Sequence, residues 1–381
     1  MSTSVEIIPL ARDRRGIRRF LRVPYALYPP DSLWVAPLEM DLAKVFTDAN
    51  PLFEHAEMAL WVARRDGADV GRVAGIWDRH YTQRHAVPTA FFGFFESVHD
   101  PAVSRALLGA VNDWARTRGL QRLLGPMNPT NNDECGLLVD GFQEPPAFMM
   151  PYNSPYYAAL LEADGFRKAK DLLAFFVDLA APPLERLNRL AEKTRRRCPE
   201  LNFRPVRRRT LAADLALIKQ VYNAAWEDNW GFVPMTDAEI NFMAARLKPL
   251  LVEGLVWLVE APGDGPVAFM LALPDFNEVL KPLRGRLLRP ALLRALPCLL
   301  GWRSPRNCRV LTLGVIRDYR GRGLEAVMLA EGFKVGLRLG FKTAEASWVL
   351  EDNLPMRRFM EIFDGRVNKT YRLYERPVRS A

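Results

Sequence analysis

The chain has 381 residues, 49% hydrophobic and 25% charged, which excludes a disordered or fibrous protein and leaves room for two domains with separate cores. A net charge of +9 favours an anionic partner, either a phosphorylated cosubstrate or an acidic membrane surface; no nucleic-acid-binding signature accompanies it, so nucleic acid is set aside. Four cysteines without metal or redox spacing, and four histidines without a pairing that suggests a metal, point to reduced thiols, no metal site and a cytoplasmic protein.

The N-terminus, Met1-Ser-Thr-Ser-Val-Glu-Ile-Ile-Pro-Leu, has no apolar run long enough for a signal peptide. Nowhere do the roughly 18 apolar residues of a membrane-spanning helix run together. In the first half, a helix ends at Asp113–Gly119 and a short strand follows at Leu120–Leu124. The polar cluster Met127–Cys135 is a turn by composition, and its place after that strand also suits an acceptor contact. Residues 153–165 read Asn-x-Pro, eight residues, Asp-Gly, which predicts a helix capped by Asn153, with Pro in its first turn and Gly at its end. A strand is expected at Leu172–Leu179.

The segment Ala181–Arg209 reads as the boundary. It holds an amphipathic helix and the runs Arg195–Arg197 and Arg207–Arg209, expected in solvent. Beyond it come a helix at Leu211–Trp226, an aromatic and acidic loop at Ala225–Pro234, and strands at Leu255–Glu260 and Val267–Leu273. The loop suits a lid, an acceptor wall or a packed connection.

Val279–Arg309 is a basic, leucine-rich segment. Lys281, Arg284, Arg286, Arg289, Arg294, Arg303, Arg306 and Arg309 interleave with leucines, and Trp302 lies near its end. Such a segment suits an interfacial membrane position, or a helical hairpin whose arginines face water.

The strand Val310–Ile316 leads into Arg317-Asp-Tyr-Arg-Gly-Arg-Gly323 and a helix at Leu324–Leu339. A glycine- and arginine-rich loop at a helix N-terminus turns backbone N–H groups toward phosphate oxygens. A strand to Ser347 follows. Residues 353–365 then repeat the Asn-x-Pro, eight-residue, Asp-Gly pattern. The two halves therefore read as a duplicated α/β unit.

The order of the second half, with Arg320-Gly-Arg-Gly323-Leu-Glu325 after the strand, resembles the GNAT superfamily of acyl-CoA-dependent acyltransferases. The resemblance implies two tandem GNAT-like domains, each a mixed twisted sheet flanked by helices. Domain one spans 1–180, the linker 181–209 and domain two 210–381. It implies acyl-CoA as cosubstrate, with its pyrophosphate on Arg320, Gly321, Arg322, Gly323 and Leu324 and its pantetheine arm along Leu313, Val315 and Ile316. The preceding strand should splay from its neighbour there.

Three departures stand out. Glu325 replaces a small residue. Met360 stands where the family often has a tyrosine acid. Phe94-Phe-Glu-Ser-Val-His-Asp-Pro-Ala stands where the first domain's loop should be, so that domain is not expected to bind CoA in the usual way.

Acyl transfer to an amine needs positioned reactants, a base and oxyanion stabilisation. Glu345, on a strand among small residues, is the candidate base; Glu351 and Asp352 are alternatives that also suit a helix cap. Asn353 is a cap and a substrate contact. Tyr371 is the candidate acid in place of Met360, with Tyr374 as its alternative.

The form with this loop is similar to a bacterial group associated with ceramide synthesis. That implies an amine acceptor carried by a lipid long-chain base, met between the domains at the inner face of the membrane. The competing readings are acylation of a small amine or amino acid, and a non-catalytic acyl-CoA-binding module.

Overall fold

The structure is a computed structural model that describes residues 4–179, 181–287, 290, 292–299 and 305–380. It divides into two compact units. Unit 1 comprises residues 1–172, 280–289 and 369–381; unit 2 comprises 173–279 and 290–368. This departs from the partition at 180 and 210. The segment read as a linker belongs to unit 2, and the last strand of the chain belongs largely to unit 1.

Unit 1 begins with β1 (Glu6–Leu10), α1 (Arg14–Leu27) and α2 (Glu39–Val45). The antiparallel pair β2 (Ala56–Arg65) and β3 (Ala68–Asp78) follows, then α3 (Arg79–His85). Next come β4 (Thr89–Ser97), α4 (Pro101–Arg116) and β5 (Arg122–Gly125), with β4 and β5 parallel. The hairpin β6 (Met127–Asn128) and β7 (Glu134–Cys135) leads to β8 (Leu137–Asp140), α5 (Tyr157–Ala163) and β9 (Arg167–Asp178), which belongs to unit 2 from Leu173 on. α4 buries Val103, Leu107, Leu108, Val111 and Ala115 at helical spacing, and they join Phe92, Leu123 and Tyr157 in the core of the unit.

Unit 2 opens with α6 (Ala181–Arg197), β10 (Asn202–Pro205), α7 (Leu211–Ala225) and α8 (Asp237–Leu247). β11 (Val256–Ala261), β12 (Gly265–Pro274), the short α9 (Asn277–Leu280) and α10 (Leu292–Leu299) come next. β13 (Asn307–Val315), α11 (Leu324–Arg338), β14 (Thr343–Leu350), α12 (Leu354–Ile362) and β15 (Arg366–Pro377) complete the chain. β10 to β13 are successively antiparallel and β13–β14 is parallel. Unit 1 has the same plan: β1 to β4 antiparallel, then β4–β5 parallel. The duplication is thus visible in topology.

β15 carries the exchange between sequence halves. Its C-terminal residues pair with β5 (Tyr374↔Gly125 to Pro377↔Arg122) and with β8 (Thr370↔Asp140 to Arg372↔Leu137). Arg372 grips Asp171 with two hydrogen bonds, at 2.7 and 3.0 Å, inside unit 1.

The two Asn-x-Pro segments behave differently. Asn353 caps α12, accepting from the Met356 N–H at 3.2 Å. Asn153 does not cap α5, whose cap residue Tyr156 makes no side-chain bond to the helix start. Its buried amide instead accepts from the Leu138 N–H (2.7 Å) and donates to the Leu138 carbonyl (3.1 Å), pinning β8. Gly165 ends its helix at φ +84°, whereas in the second copy Asp364, at +61°, takes that conformation.

The described residues of the basic segment are divided between the two units. Residues 280–287 belong to unit 1, where the Gly285 carbonyl accepts from the Glu39 N–H at 2.9 Å and Arg286 pairs with Glu39 at 3.3 Å. Arg309 is not part of an exposed insert at all; it is buried in β13. Arg289, Trp302, Arg303 and the side chain of Arg294 lie outside the described residues.

Candidate functional site

The site in unit 2 starts from a strand pair that parts. β13 and β14 are in register from Asn307↔Thr343 to Val310↔Ala346, and there the pairing stops. Both strands run on, to Val315 and Leu350. On its other edge β13 stays paired with β12 as far as Ala268↔Val315, and the Ile316 N–H continues to the Val267 carbonyl. Leu313, Val315 and Ile316 are half-buried here. Backbone groups facing the gap can pair with an extended, amide-bearing ligand as a strand would. Gly314 is small for a different reason: a Cβ there would lie 2.2 Å from the Trp226 ring. Trp226 is therefore packed against β13, stacked on Tyr222 at 4.8 Å, which decides for a packed connection over a lid at that residue.

The loop after β13 is shaped largely by its own arginines. Arg320 donates to the carbonyls of Val315 (3.2 Å) and Ala225 (2.9 Å). Arg322 donates to the Asp318 carbonyl and lies over the Tyr319 ring at 4.3 Å, and the Tyr319 hydroxyl donates to Asp264 at 2.6 Å. Gly321 and Gly323 take φ of +74° and +85°, which favours glycine. Gly323 is the N-cap of α11. The N–H groups of Gly321, Arg322, Gly323 and Leu324 donate to nothing among the described residues. Together with the N-terminal dipole of α11 they can hold an anionic diphosphate.

One feature of this cradle escaped the sequence reading. Helix α6 packs along α11, and its buried Thr194 donates to the Arg322 carbonyl at 3.4 Å; a Cβ on Gly323 would lie 2.5 Å from Thr194 Oγ1. The loop is thus braced by the segment read as a linker. The arginines of that segment, Arg195–Arg197 and Arg207–Arg209, are exposed as expected. Glu325, marked in the sequence as a departure from the loop pattern, lies half-buried in the first turn of α11. Burial pushes this carboxyl above the ordinary glutamate range, with a backbone hydrogen bond acting the other way.

Of the candidate catalytic residues, Glu345 is buried directly across from Arg309. The Ser347 hydroxyl donates to Glu345 at 2.8 Å, and Arg309 donates to the Ser347 hydroxyl (2.8 Å) and carbonyl (3.0 Å). Arg309 was read as part of the basic segment and Ser347 only as a strand end; neither was placed beside Glu345. Their signal is the alternation of β13 and β14, which turns both toward the side Glu345 occupies. Glu351 and Asn353 stand together past the end of β14, where Arg357 holds the Glu351 carbonyl at 2.7 Å. Met360 is a core residue. Tyr371 falls in unit 1 and not in the C-terminal unit to which its sequence position assigned it; it is fully buried, in register with Leu138 and against Gly136.

Unit 1 fills the matching gap with its own atoms. β4 and β5 part after Phe91↔Leu124. The Met127 carbonyl sits where a Cβ on Gly93 would be, and Asn128 accepts from the Phe94 N–H at 2.5 Å. Beyond it the buried Glu96 accepts from Tyr28 (2.8 Å) and Tyr157 (2.7 Å), with Arg72 at 3.6 Å. The polar cluster is a hairpin turn in which Thr130 bonds Asn132 and Asp133.

Tertiary structure also pairs histidines that sequence spacing kept apart. The register Ala56↔Asp78 brings His55 and His80 into a stack at 3.9 Å, with Asp78 accepting from the His80 N–H and 2.9 Å from His55 Nδ1. The three donor atoms lie within 4.8 Å of one another, one ligand short of a closed four-coordinate site. Asp78 already has its role as the cap of α3.

No protein-family model matches the chain. Among solved structures, it superposes on a tandem GNAT protein from the clavulanic acid biosynthesis pathway with a TM-score of 0.60 and 14% identity, covering 99% of this chain and 100% of the other. A GNAT N-acetyltransferase from Sphaerobacter thermophilus gives 0.51 and 15%, with 98% and 96% covered. The fold is therefore that of tandem GNAT proteins. In sequence, the chain is 32% identical to protein YghO of Escherichia coli over 377 residues, 96% of this chain and 94% of that one. It is 34% identical over 394 aligned positions to the bacterial ceramide synthase of Caulobacter vibrioides, covering 99% and 98%. The chain belongs to the same family as these two proteins.

Proposed function

We propose that the protein is an acyl-CoA-dependent N-acyltransferase whose acceptor is the amine of a lipid long-chain base. The observation that carries the donor half is the parted β13–β14 pair leading into unsatisfied N–H groups at the start of α11. In this reading Gly321, Arg322, Gly323 and Leu324 hold the CoA diphosphate, Arg320 shapes the loop, and Leu313, Val315 and Ile316 line the pantetheine arm. The filled gap of unit 1 supports one cofactor site in the chain.

The thioester carbonyl then lies toward the strand ends, and the amine attacks it directly. Glu345, held by Ser347, takes the ammonium proton; Glu351 is the alternative base and Asn353 orients the acceptor. CoA leaves as the thiol once its sulfur takes up the proton shed by the attacking amine; Tyr371, buried in unit 1, does not fit the role of that acid. The acceptor assignment is supported by the named relative from Caulobacter.

Calorimetry with acetyl-CoA and palmitoyl-CoA tests the donor, and release of CoA thiol with sphinganine or small amines tests the acceptor. Failure to bind either thioester would sink the enzyme reading. One observation favours a second reading, a non-catalytic acyl-CoA sensor: Glu325 puts a carboxylate in the first turn of α11, next to the proposed phosphate site. Binding without thiol release for any amine would establish that reading instead.

A further inference from the structure

Helix α1 carries Arg14, Arg15, Arg18, Arg19 and Arg22 and no acidic residue, while Ile17, Phe20, Leu21 and Val23 bury its other face. The five arginines line an open groove of 680 Å³, with Val23, Ala26 and Ala68 as its apolar lining. Asp69, the one acid there, is occupied by a two-pronged bond from Arg19 at 2.8 and 2.7 Å. Arg14, Arg15, Arg18 and Arg22 are exposed and make no ion pair or hydrogen bond among the described residues. Their placement works against the helix. Like charges stand four apart at 14/18, 15/19 and 18/22, and Arg14 and Arg15 occupy the first turn, at the positive end of the dipole. An anion in the groove relieves both conflicts.

The apolar neighbours identify the kind of anion. Met40, on α2 packed beside α1, is 77% exposed. Leu287, in the segment tied to α2 through Glu39, is also exposed. Unpaired arginines on one helix, with exposed apolar side chains on the element packed against it and the segment tied to that element, suit a surface seated in lipid headgroups. The groove lining offers no aromatic platform for nucleic-acid bases.

We propose that this groove docks unit 1 on an anionic phospholipid bilayer, with lipid phosphates among Arg14, Arg15, Arg18 and Arg22 and the glycerol shoulder against Ala26. The inference deepens the lipid-acceptor reading and rests on it for its use in the cell.

The test is flotation of the full chain with phosphatidylcholine vesicles, with and without phosphatidylglycerol, beside palmitoyl-CoA calorimetry. The wild type should float only with phosphatidylglycerol, and less as salt rises. The combined variant Arg14→Gln, Arg18→Gln, Arg22→Gln should lose about a hundredfold in partition, at roughly a few-fold or more per charge. Its melting temperature should hold or rise and its palmitoyl-CoA affinity should stay. Wild-type flotation by that variant would overturn the proposal, as would flotation lost only in Lys281→Gln, Arg284→Gln, Arg286→Gln. Duplex DNA bound as tightly, through the same arginines, would replace lipid by nucleic acid. If palmitoyl-CoA fails to bind while flotation persists, the transferase reading falls and the docking surface stands.

Discussion

Gly323 and Glu325 decide what the loop can do. A side chain on Gly323 meets Thr194 and is strained at φ +85°, whereas Gly321, at +74°, faces open space. Gly321→Ala should therefore cost about 1–2 kcal/mol, the left-handed penalty alone, and Gly323→Ala clearly more, ranked by urea unfolding. An aspartate at 323 would unseat α6 as well as crowd the amides, so it is a poor probe of phosphate binding. Glu325 calls for a pH test. Its carboxyl is raised by burial, so its ionised form opposes both folding and a bound diphosphate. The favourable contribution is full below the ordinary glutamate pKa and is lost as pH rises through the raised value. Palmitoyl-CoA should bind more tightly as pH falls through that window. Glu325→Gln should bind tightly at neutral pH and flatten the profile; an unchanged profile by calorimetry would place Glu325 outside the phosphate site.

At the scale of elements, α6 matters most. Leu187, Ala191 and Thr194 form its buried stripe toward α11, while Arg195, Arg196 and Arg197 face water. Leu187→Ala should cost about 2–5 kcal/mol by leaving a cavity in that packing. Arg196→Ala should change stability by no more than about 0.5 kcal/mol. Chemical denaturation of the two variants checks the contrast. The helix periods and the strand–loop–helix order around Arg320 were legible in the sequence, because amphipathic spacing and glycine chemistry are local. The bracing of the loop by Thr194 was not: nothing in residues 181–209 marks which helix their apolar stripe will meet.

For the whole molecule, the consequence lies in β15. Unit 1 receives its last strand from the C-terminus, with Arg372 on Asp171 and Arg376 and Arg379 on Asp164. Residues 1–180 produced alone should therefore lack a cooperative thermal transition, since β5 and β8 would lose their partner and expose a strand edge. Adding back residues 369–381 by a flexible linker should restore it. A sharp transition from the shorter piece, by circular dichroism, would count against the exchange. Among the described residues no helix is long and apolar enough to cross a membrane.

By itself the sequence determined the duplication, the α/β class, the glycine-rich loop Arg320–Leu324 between a strand and a helix, and the candidate carboxylate Glu345. All of these rest on periods, caps and glycines that act over a few residues. Only the tertiary structure decided that Asn153 pins a strand and does not cap a helix, and that His55 meets His80. It also decided that Arg309 and Ser347 surround Glu345, and that Tyr371 lies in the other compact unit. Each depends on strand register or on which unit claims a segment, and those are set by pairing and packing between residues far apart in the chain.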